Sequence, residues 1–255
     1  MTAAILAPDV GPVQRESLLG RTNPLVKLGI AVVWLIGLGL TTDVRPPLIL
    51  TLVALIGGLQ LGGLSMGALA RRIAPLWLAV AGIALANLLF SVHNPDPLAT
   101  ELVRIGPLRI TQEALDAAAG LGARVLSIIS VGAVFALTTD ATYLIDSLVQ
   151  LARVSPRFAY GTLAAYQAVP RLAEDLGTLR SARRLRGLRE WHPRIIVGLL
   201  VRAIRHADQL AVAMDARGFG TGRRSTYRPV SWKPLDGAVA LAALAILVAA
   251  LAIAR

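Results

Sequence analysis

The sequence predicts an all-α, polytopic membrane protein with about five transmembrane helices and a long helical arm inserted between the fourth and fifth. Three observations predict it. The 255-residue chain is 55% hydrophobic with a mean hydropathy of +0.65, above an ordinary soluble domain. Its apolar residues gather in five stretches near the length of a bilayer span. Its basic residues gather in one segment, Asp140 to Lys233, that interrupts the series.

The spans fall at Leu25 to Thr41, Pro47 to Leu64, Ile73 to Val92, Ala117 to Thr138 and Leu235 to Ala254. Each is roughly 17 to 22 residues, enough to cross about 30 Å of hydrocarbon. Lys27 interrupts the first, and a lysine near a span's end is expected to snorkel its ammonium to the headgroups. Gly58-Leu-Gln-Leu-Gly62 and Gly63-Leu-Ser-Met-Gly67 are small-xxx-small spacings that let helix backbones approach closely. Packing within the chain is their expected use, ahead of a partner-binding face. Arg124 lies well inside the fourth span and is expected to snorkel outward in preference to contacting a polar group at an interface. His93-Asn-Pro-Asp-Pro97 reads as a turn cluster with a structural histidine. Met1 to Gly20 lacks the basic start and apolar run of a secretory signal, so none is expected there.

The arm divides at its helix breakers. Leu144, Ile145, Leu148, Val149 and Leu151 fall near one face of a first helix within Asp140 to Val154, with Asp140 as its N-cap. A second starts after Pro156 and runs through Phe158, Leu163 and Tyr166 toward Pro170, where proline is expected to kink or restart it. A third, Arg171 to Arg186, ends in Leu185-Arg186-Gly187. After Trp191-His192-Pro193 a longer helix runs from Arg194 to Arg217 and ends in Ala216-Arg217-Gly218. Both ends place Arg in the last turn and Gly where a left-handed residue commonly closes a helix. The helix macrodipole alone favours a cation there. A planar guanidinium presented at a helix end also suits bidentate pairing with a carboxylate. The apolar face with Ile195, Leu199, Leu210 and Met214 is expected to project toward a partner.

The formal charge of +11 raises nucleic acid as a partner, but its distribution follows membrane topology. With Asp140 to Lys233 inside, roughly 21 Lys and Arg lie on the cytoplasmic side against about 5 elsewhere. The amino terminus is then cytoplasmic and the carboxyl terminus outside. The Arg183-Arg184-Leu-Arg186 cluster lacks interleaved aromatics for stacking bases, so no nucleic acid is expected, whereas anionic lipid suits it. With no cysteine and three histidines, the chain excludes disulfides and Cys-bound metal. Asp146, Glu174, Asp175, Asp208 and Asp215 are scattered, with no His-Glu-x-x-His or clustered Asp motif. An integral-membrane enzyme acting on a lipid or phosphate-bearing substrate is therefore the weaker alternative. Adjacent Glu174 and Asp175 read as a solvated helix face. Gly218-Phe-Gly220-Thr-Gly222-Arg-Arg-Ser225 lacks the Gly-Lys-Ser/Thr ending of a P-loop and follows a helix where a strand is needed. It reads as a flexible exit from the arm.

Taken in order, Asn23-Pro24-Leu-Val-Lys27, Leu137-Thr-Thr-Asp140, Pro156, Pro170 and the two Arg triplets resemble the transmembrane T component of energy-coupling factor (ECF) transporters. These are vitamin and metal-ion uptake systems of prokaryotes, and the resemblance spans nearly the whole chain. It implies an amino-terminal tail with four transmembrane helices over residues 1–139, a cytoplasmic coupling-helix arm over 140–233 and a last span over 234–255. It further implies a non-catalytic, multi-pass subunit of the plasma membrane, with no cofactor or metal of its own. Two cytoplasmic ABC-type ATPases, A and A′ or a homodimer, would bind ATP and Mg and grip Leu185, Arg186, Gly187, Ala216, Arg217 and Gly218. A membrane-embedded S component would capture the substrate. Leu185 departs from the family's Ala, which leaves Arg183 or Arg184 able to share the first contact. Gln167 stands where members often carry Arg, leaving no arginine there for an ion pair.

Overall fold

The computed structural model describes residues 12–41, 43–92, 94, 100–105, 108–220 and 226–253. The turn cluster at His93, apart from Asn94, and residues 221–225 of the exit loop lie outside them. In chain order the elements are α1 Pro12–Glu16, α2 Leu18–Arg21, α3 Pro24–Gly39, α4 Arg45–Gln60, α5 Met66–Leu89, β1 Glu101–Ile105 and β2 Leu108–Thr111. They continue with α6 Gln112–Thr138, α7 Ala141–Gln150, α8 Pro156–Leu185, α9 Arg194–Ala216 and α10 Pro234–Ile253. The chain divides into two units, one of Ala141–Ser231, the other of Val10–Asp140 with Trp232–Arg255.

In the second unit, α6 and α10 are long and apolar enough to cross a membrane, and Pro24–Gly39, Arg45–Gln60 and Ile73–Leu89 are shorter apolar helices. α5 begins ahead of the apolar run because the Ser65 side chain accepts from the Ala68 N–H and starts the helix at Met66. Thr111 does the same for α6 by accepting from Ala114. Between them lies the one departure from all-helical structure among the described residues, an antiparallel hairpin pairing Val103 with Ile110 and Arg104 with Arg109. Its signal was present in the sequence, since Gly106-Pro107 separates two short runs rich in Val, Ile and Leu.

Trp34, Leu38, Leu50, Ala54, Val131, Ala243, Leu247 and Ala250 form the core among α3, α4, α6 and α10. Small residues bring these helices together, as expected of the Gly58/Gly62 spacing. A Cβ on Gly58 would lie 2.9 Å from Val134 Cγ2, and one on Gly62 would lie 2.9 Å from Thr138 Cγ2 and 2.5 Å from the Gly58 carbonyl oxygen. Apolar side chains also face outward from the same helices, among them Ile36, Leu52, Ile128 and Leu241. Helices apolar on both faces are those whose surroundings are hydrocarbon.

Two cations behave differently from the snorkelling expected of them. Lys27 is 8% exposed, and its Nζ donates to the Thr138 carbonyl at 2.7 Å. Arg124 donates from Nη2 to the Thr41 carbonyl. The physical reason is the same in both cases: the Thr138 carbonyl at the last residue of α6 and the Thr41 carbonyl just past the C-cap of α3 have no helical donor, and a basic side chain within reach satisfies them. The opposite polarity appears at helix starts. Asp236, 2% exposed, accepts from the Asn23 N–H at 2.7 Å and the Lys233 N–H at 2.8 Å. It thereby joins the start of α10 to the N-cap residue of α3, and a carboxylate three residues into α10 also complements the helix dipole.

In the Ala141–Ser231 unit, α8 is a single helix of 30 residues that contains Pro170. The expected restart is corrected: proline there removes one hydrogen bond, to the Tyr166 carbonyl, and the turns on either side continue as one helix. α9 runs antiparallel to α8: Arg157 donates to the Gly220 carbonyl, Arg171 to His206 Nε2, and Arg202 to Asp175 Oδ1, with Gly198 against Leu179. The Asp175–Arg202 ion pair, at 2.8 Å, corrects the reading of Asp175 as merely solvated. The apolar face assigned to a partner is corrected as well. Ile195 is buried, while Leu210 and Met214 line the groove between α9 and α8. The stripe left outward is Ile196, Val197, Leu200, Val201 and Ile204, 49–62% exposed.

Candidate functional site

The two arginine triplets close their helices in the same way. At the end of α8, the Leu188 N–H donates to the Arg183 carbonyl and the Gly187 N–H to the Arg184 carbonyl. At the end of α9, the Phe219 N–H donates to the Met214 carbonyl and the Gly218 N–H to the Asp215 carbonyl. This nested pair of bonds is the Schellman closure, which needs a left-handed residue at its turn. Gly187 and Gly218 supply it, both at φ +67°, a region that costs an L-residue roughly 1–2 kcal/mol. Arg186 and Arg217 are the C-cap residues, so each side chain leaves the helix where its axis ends.

The first end is open to solvent. Leu185 is 89% exposed, and the Arg186 guanidinium has no side-chain hydrogen bond or ion pair among the described residues. Its neighbours are held locally. Arg183 Nε donates to the Arg189 carbonyl at 3.0 Å, Arg184 pairs with Glu190 at 3.5 Å, and Arg180 lies 5.4 Å from the centre of the Trp191 ring. These contacts shape the connector into α9, whose start is capped by His192 Nδ1 accepting from the Arg194 N–H. The exposed Arg184–Glu190 pair is worth little and exchanges readily.

The second end is anchored to the start of α8. The Phe219 ring meets Tyr160 edge-on at 6.4 Å, and Arg157 binds the Gly220 carbonyl at 3.3 Å. Tyr160 donates to Asp146 Oδ1 at 2.8 Å, which ties α8 to α7. Burial, then the hydrogen bond to Asp146 and its negative charge, push the Tyr160 phenol up to about 12. Gln150 at the end of α7 binds the returning chain twice, donating to the Arg228 carbonyl and accepting from the Val230 N–H. Periodicity singled out neither Tyr160 nor Gln150, because their partners are distant in sequence.

Because α8 and α9 are antiparallel, Arg186 and Arg217 occupy opposite ends of one hairpin. α9 has 23 residues, so the ends are about 35 Å apart at 1.5 Å per residue. Two cationic helix ends at that spacing suit two separate acidic acceptors. Among the described residues no group of three His, Asp or Glu is placed to hold a metal ion. The groove between α8 and α9, about 720 Å³, is lined by Gly161, Ala164, Ala165 and Ala168. Its Asp175 and His206 are engaged by Arg202 and Arg171.

The family model of the CbiQ cobalt transport proteins matches residues 15–227. The chain is 29% identical to the energy-coupling factor transporter transmembrane protein EcfT of Heliobacterium modesticaldum, over 89% of this chain and 90% of that protein. It is also 29% identical to the energy-coupling factor transporter transmembrane protein BioN of Rhizobium etli, over 80% and 94% respectively. A putative ABC transporter ATP-binding protein of Bifidobacterium longum is 27% identical over 92% of this chain, a match that takes up 31% of that longer protein.

Proposed function

The chain belongs to the CbiQ cobalt transport protein family, and on that premise we propose that it is the transmembrane T component of an ECF-type ABC importer in a prokaryotic plasma membrane. Relatives named as ECF transporter transmembrane proteins over nearly their full length support the assignment. The observation that carries the coupling role is the pair of identically closed arginine ends at opposite ends of the α8–α9 hairpin.

In this reading α3, α4, α5, α6 and α10 are five spans, with the amino terminus and the Ala141–Ser231 unit on the cytoplasmic side. Arg186 and Arg217, flanked by Leu185, Gly187, Ala216 and Gly218, each engage one of two ABC-type ATPases, which bind and hydrolyse ATP with Mg. Arg183 and Arg184 release their local partners to share the first contact. A relative named for ATP binding that contains a stretch like this chain supports ATPase partnership. The outward apolar stripe on α9, Ile196 to Ile204, replaces the face expected from the sequence as the surface for the membrane-embedded S component that captures the vitamin or metal ion. Closure of the ATPases moves the two arginine ends, and the rigid hairpin passes that motion to the stripe. The chain itself is a non-catalytic lever.

The test is a mild-detergent pull-down of the tagged chain from its native membranes, wild type against an Arg186→Ala/Arg217→Ala double variant. Removing either Arg from a desolvated pair should cost on the order of 2–5 kcal/mol of binding. The expected result is recovery of ABC ATPases and a small membrane protein with the wild type, and loss of the ATPases from the variant. Equal ATPase recovery with both would overturn the role given to the arginines.

A further inference from the structure

The least explained group in the apolar unit is the Lys27 ammonium. It carries three N–H donors, is buried, and has one acceptor, the Thr138 carbonyl. No carboxylate lies within ion-pair distance of it among the described residues. A cation removed from water without a counter-ion is strongly unfavourable, so the site is electrostatically incomplete.

Lys27 also lines a cavity of about 210 Å³ among α3, α4, α6 and α10. Apart from Lys27 and Thr138, its walls are apolar, with Ile30, Trp34, Val53, Val134 and Ile246 among them. The Trp34 indole N–H is already taken by the Ala243 carbonyl at 3.0 Å, so it directs no free donor inward. The lining residues Leu61 and Ala242 are exposed, so the cavity opens to its surroundings. Trp34 lies seven residues beyond Lys27 on α3, about 10 Å deeper along the helix. The space thus joins one uncompensated cation near a helix start to an apolar cleft reaching toward mid-helix.

We propose that this cleft binds one acyl chain of an anionic membrane phospholipid, with the lipid phosphate against Lys27. The phosphate supplies the missing counter-charge through charge-assisted hydrogen bonds, and the acyl chain lies against the apolar walls. The proposal rests on the reading of α3, α4, α6 and α10 as membrane-embedded. Its consequence is a lipid wedged beside the Lys27–Thr138 contact, at the end of the helix that leads directly into the Ala141–Ser231 segment.

The test is native mass spectrometry of the delipidated full chain with phosphatidylglycerol, diacylglycerol (the same acyl chains without a phosphate) or inorganic phosphate added. Wild type should retain one phosphatidylglycerol at least about tenfold more tightly than diacylglycerol, the factor expected of one hydrogen bond to a charged group. Lys27→Met should erase that discrimination and Lys27→Arg should keep it. Ala242→Trp, at an exposed lining position, should reduce retention of both lipids. Equal retention of the two lipids by wild type, unchanged discrimination in Lys27→Met, or displacement of the lipid by inorganic phosphate alone would overturn the proposal. Alkaline carbonate extraction of membranes holding the same chains checks the premise separately. A wild-type chain released by carbonate defeats the membrane-embedded reading, whereas a retained chain without lipid discrimination defeats only the lipid site.

Discussion

Replacing Asp236 by alanine removes the carboxylate on which two N–H groups converge. Asp236 is buried, and the Asn23 N–H reaches one of its oxygens at 2.7 Å while the Lys233 N–H reaches the other at 2.8 Å. The two losses differ in cost. Asn23 is buried, so its stranded donor carries a full desolvation penalty of about 1–3 kcal/mol. Lys233 is exposed, and its donor recovers water for well under 1 kcal/mol. Loss of a negative charge from the first turn of α10 adds about 0.3–1 kcal/mol. Asp236→Ala should therefore destabilise the chain by about 3 kcal/mol. The assay is reversible unfolding in mixed micelles by SDS titration, read by far-ultraviolet circular dichroism. The internal comparison is Asp175→Ala, which breaks the half-exposed ion pair with Arg202 and should cost under about 1 kcal/mol. Asp236→Asn should fall between them, because its carboxamide offers one acceptor but turns an NH2 toward the second donor. A loss for Asp236→Ala no larger than that for Asp175→Ala would refute the reasoning that burial of the acceptor site sets the cost.

The remaining predictions are read with similar measurements. Gly62→Ala places a Cβ 2.5 Å from the Gly58 carbonyl oxygen and 2.9 Å from Thr138 and should destabilise by about 1–3 kcal/mol. Gly57→Ala, within α4 and with nothing within 4 Å of the new methyl, should stabilise by about 0.5–1 kcal/mol; effects of the same sign would sink the packing account. Tyr160, pushed up to about 12, should ionise well above the ordinary phenol value near 10 in an ultraviolet titration, and Asp146→Asn should move it down toward that value. Because the folded state favours the neutral phenol, its stabilisation is complete below about pH 10 and is lost as pH rises through 12.

How much was legible in the sequence depended on how far each interaction reaches along the chain. The closures at Gly187 and Gly218 were readable because each is completed by bonds between residues at most five apart. The apolar helices were readable because composition alone decides whether a segment prefers hydrocarbon to water. The face of α9 was not, since Ile195, Ile196, Val197, Leu199, Leu200, Val201 and Ile204 leave almost no polar side over those turns. Periodicity cannot choose between faces that are equally apolar, and contact with α8 made the choice. Pro170 misled as a helix boundary because the loss of one hydrogen bond does not by itself decide whether the turns on either side join, and α8 runs through it.

The sequence by itself determined which segments are apolar, where the long helices α8 and α9 end, and that each end carries an arginine beyond which glycine turns the chain. Only the tertiary structure decided that Lys27 would satisfy the end of α6, Arg124 the carbonyl just past α3, and Asp236 the start of α3. Those pairings span 111, 83 and 213 residues. A buried charge binds whichever orphaned backbone group the packed helices bring within hydrogen-bonding distance, and that proximity exists only once the helices have assembled.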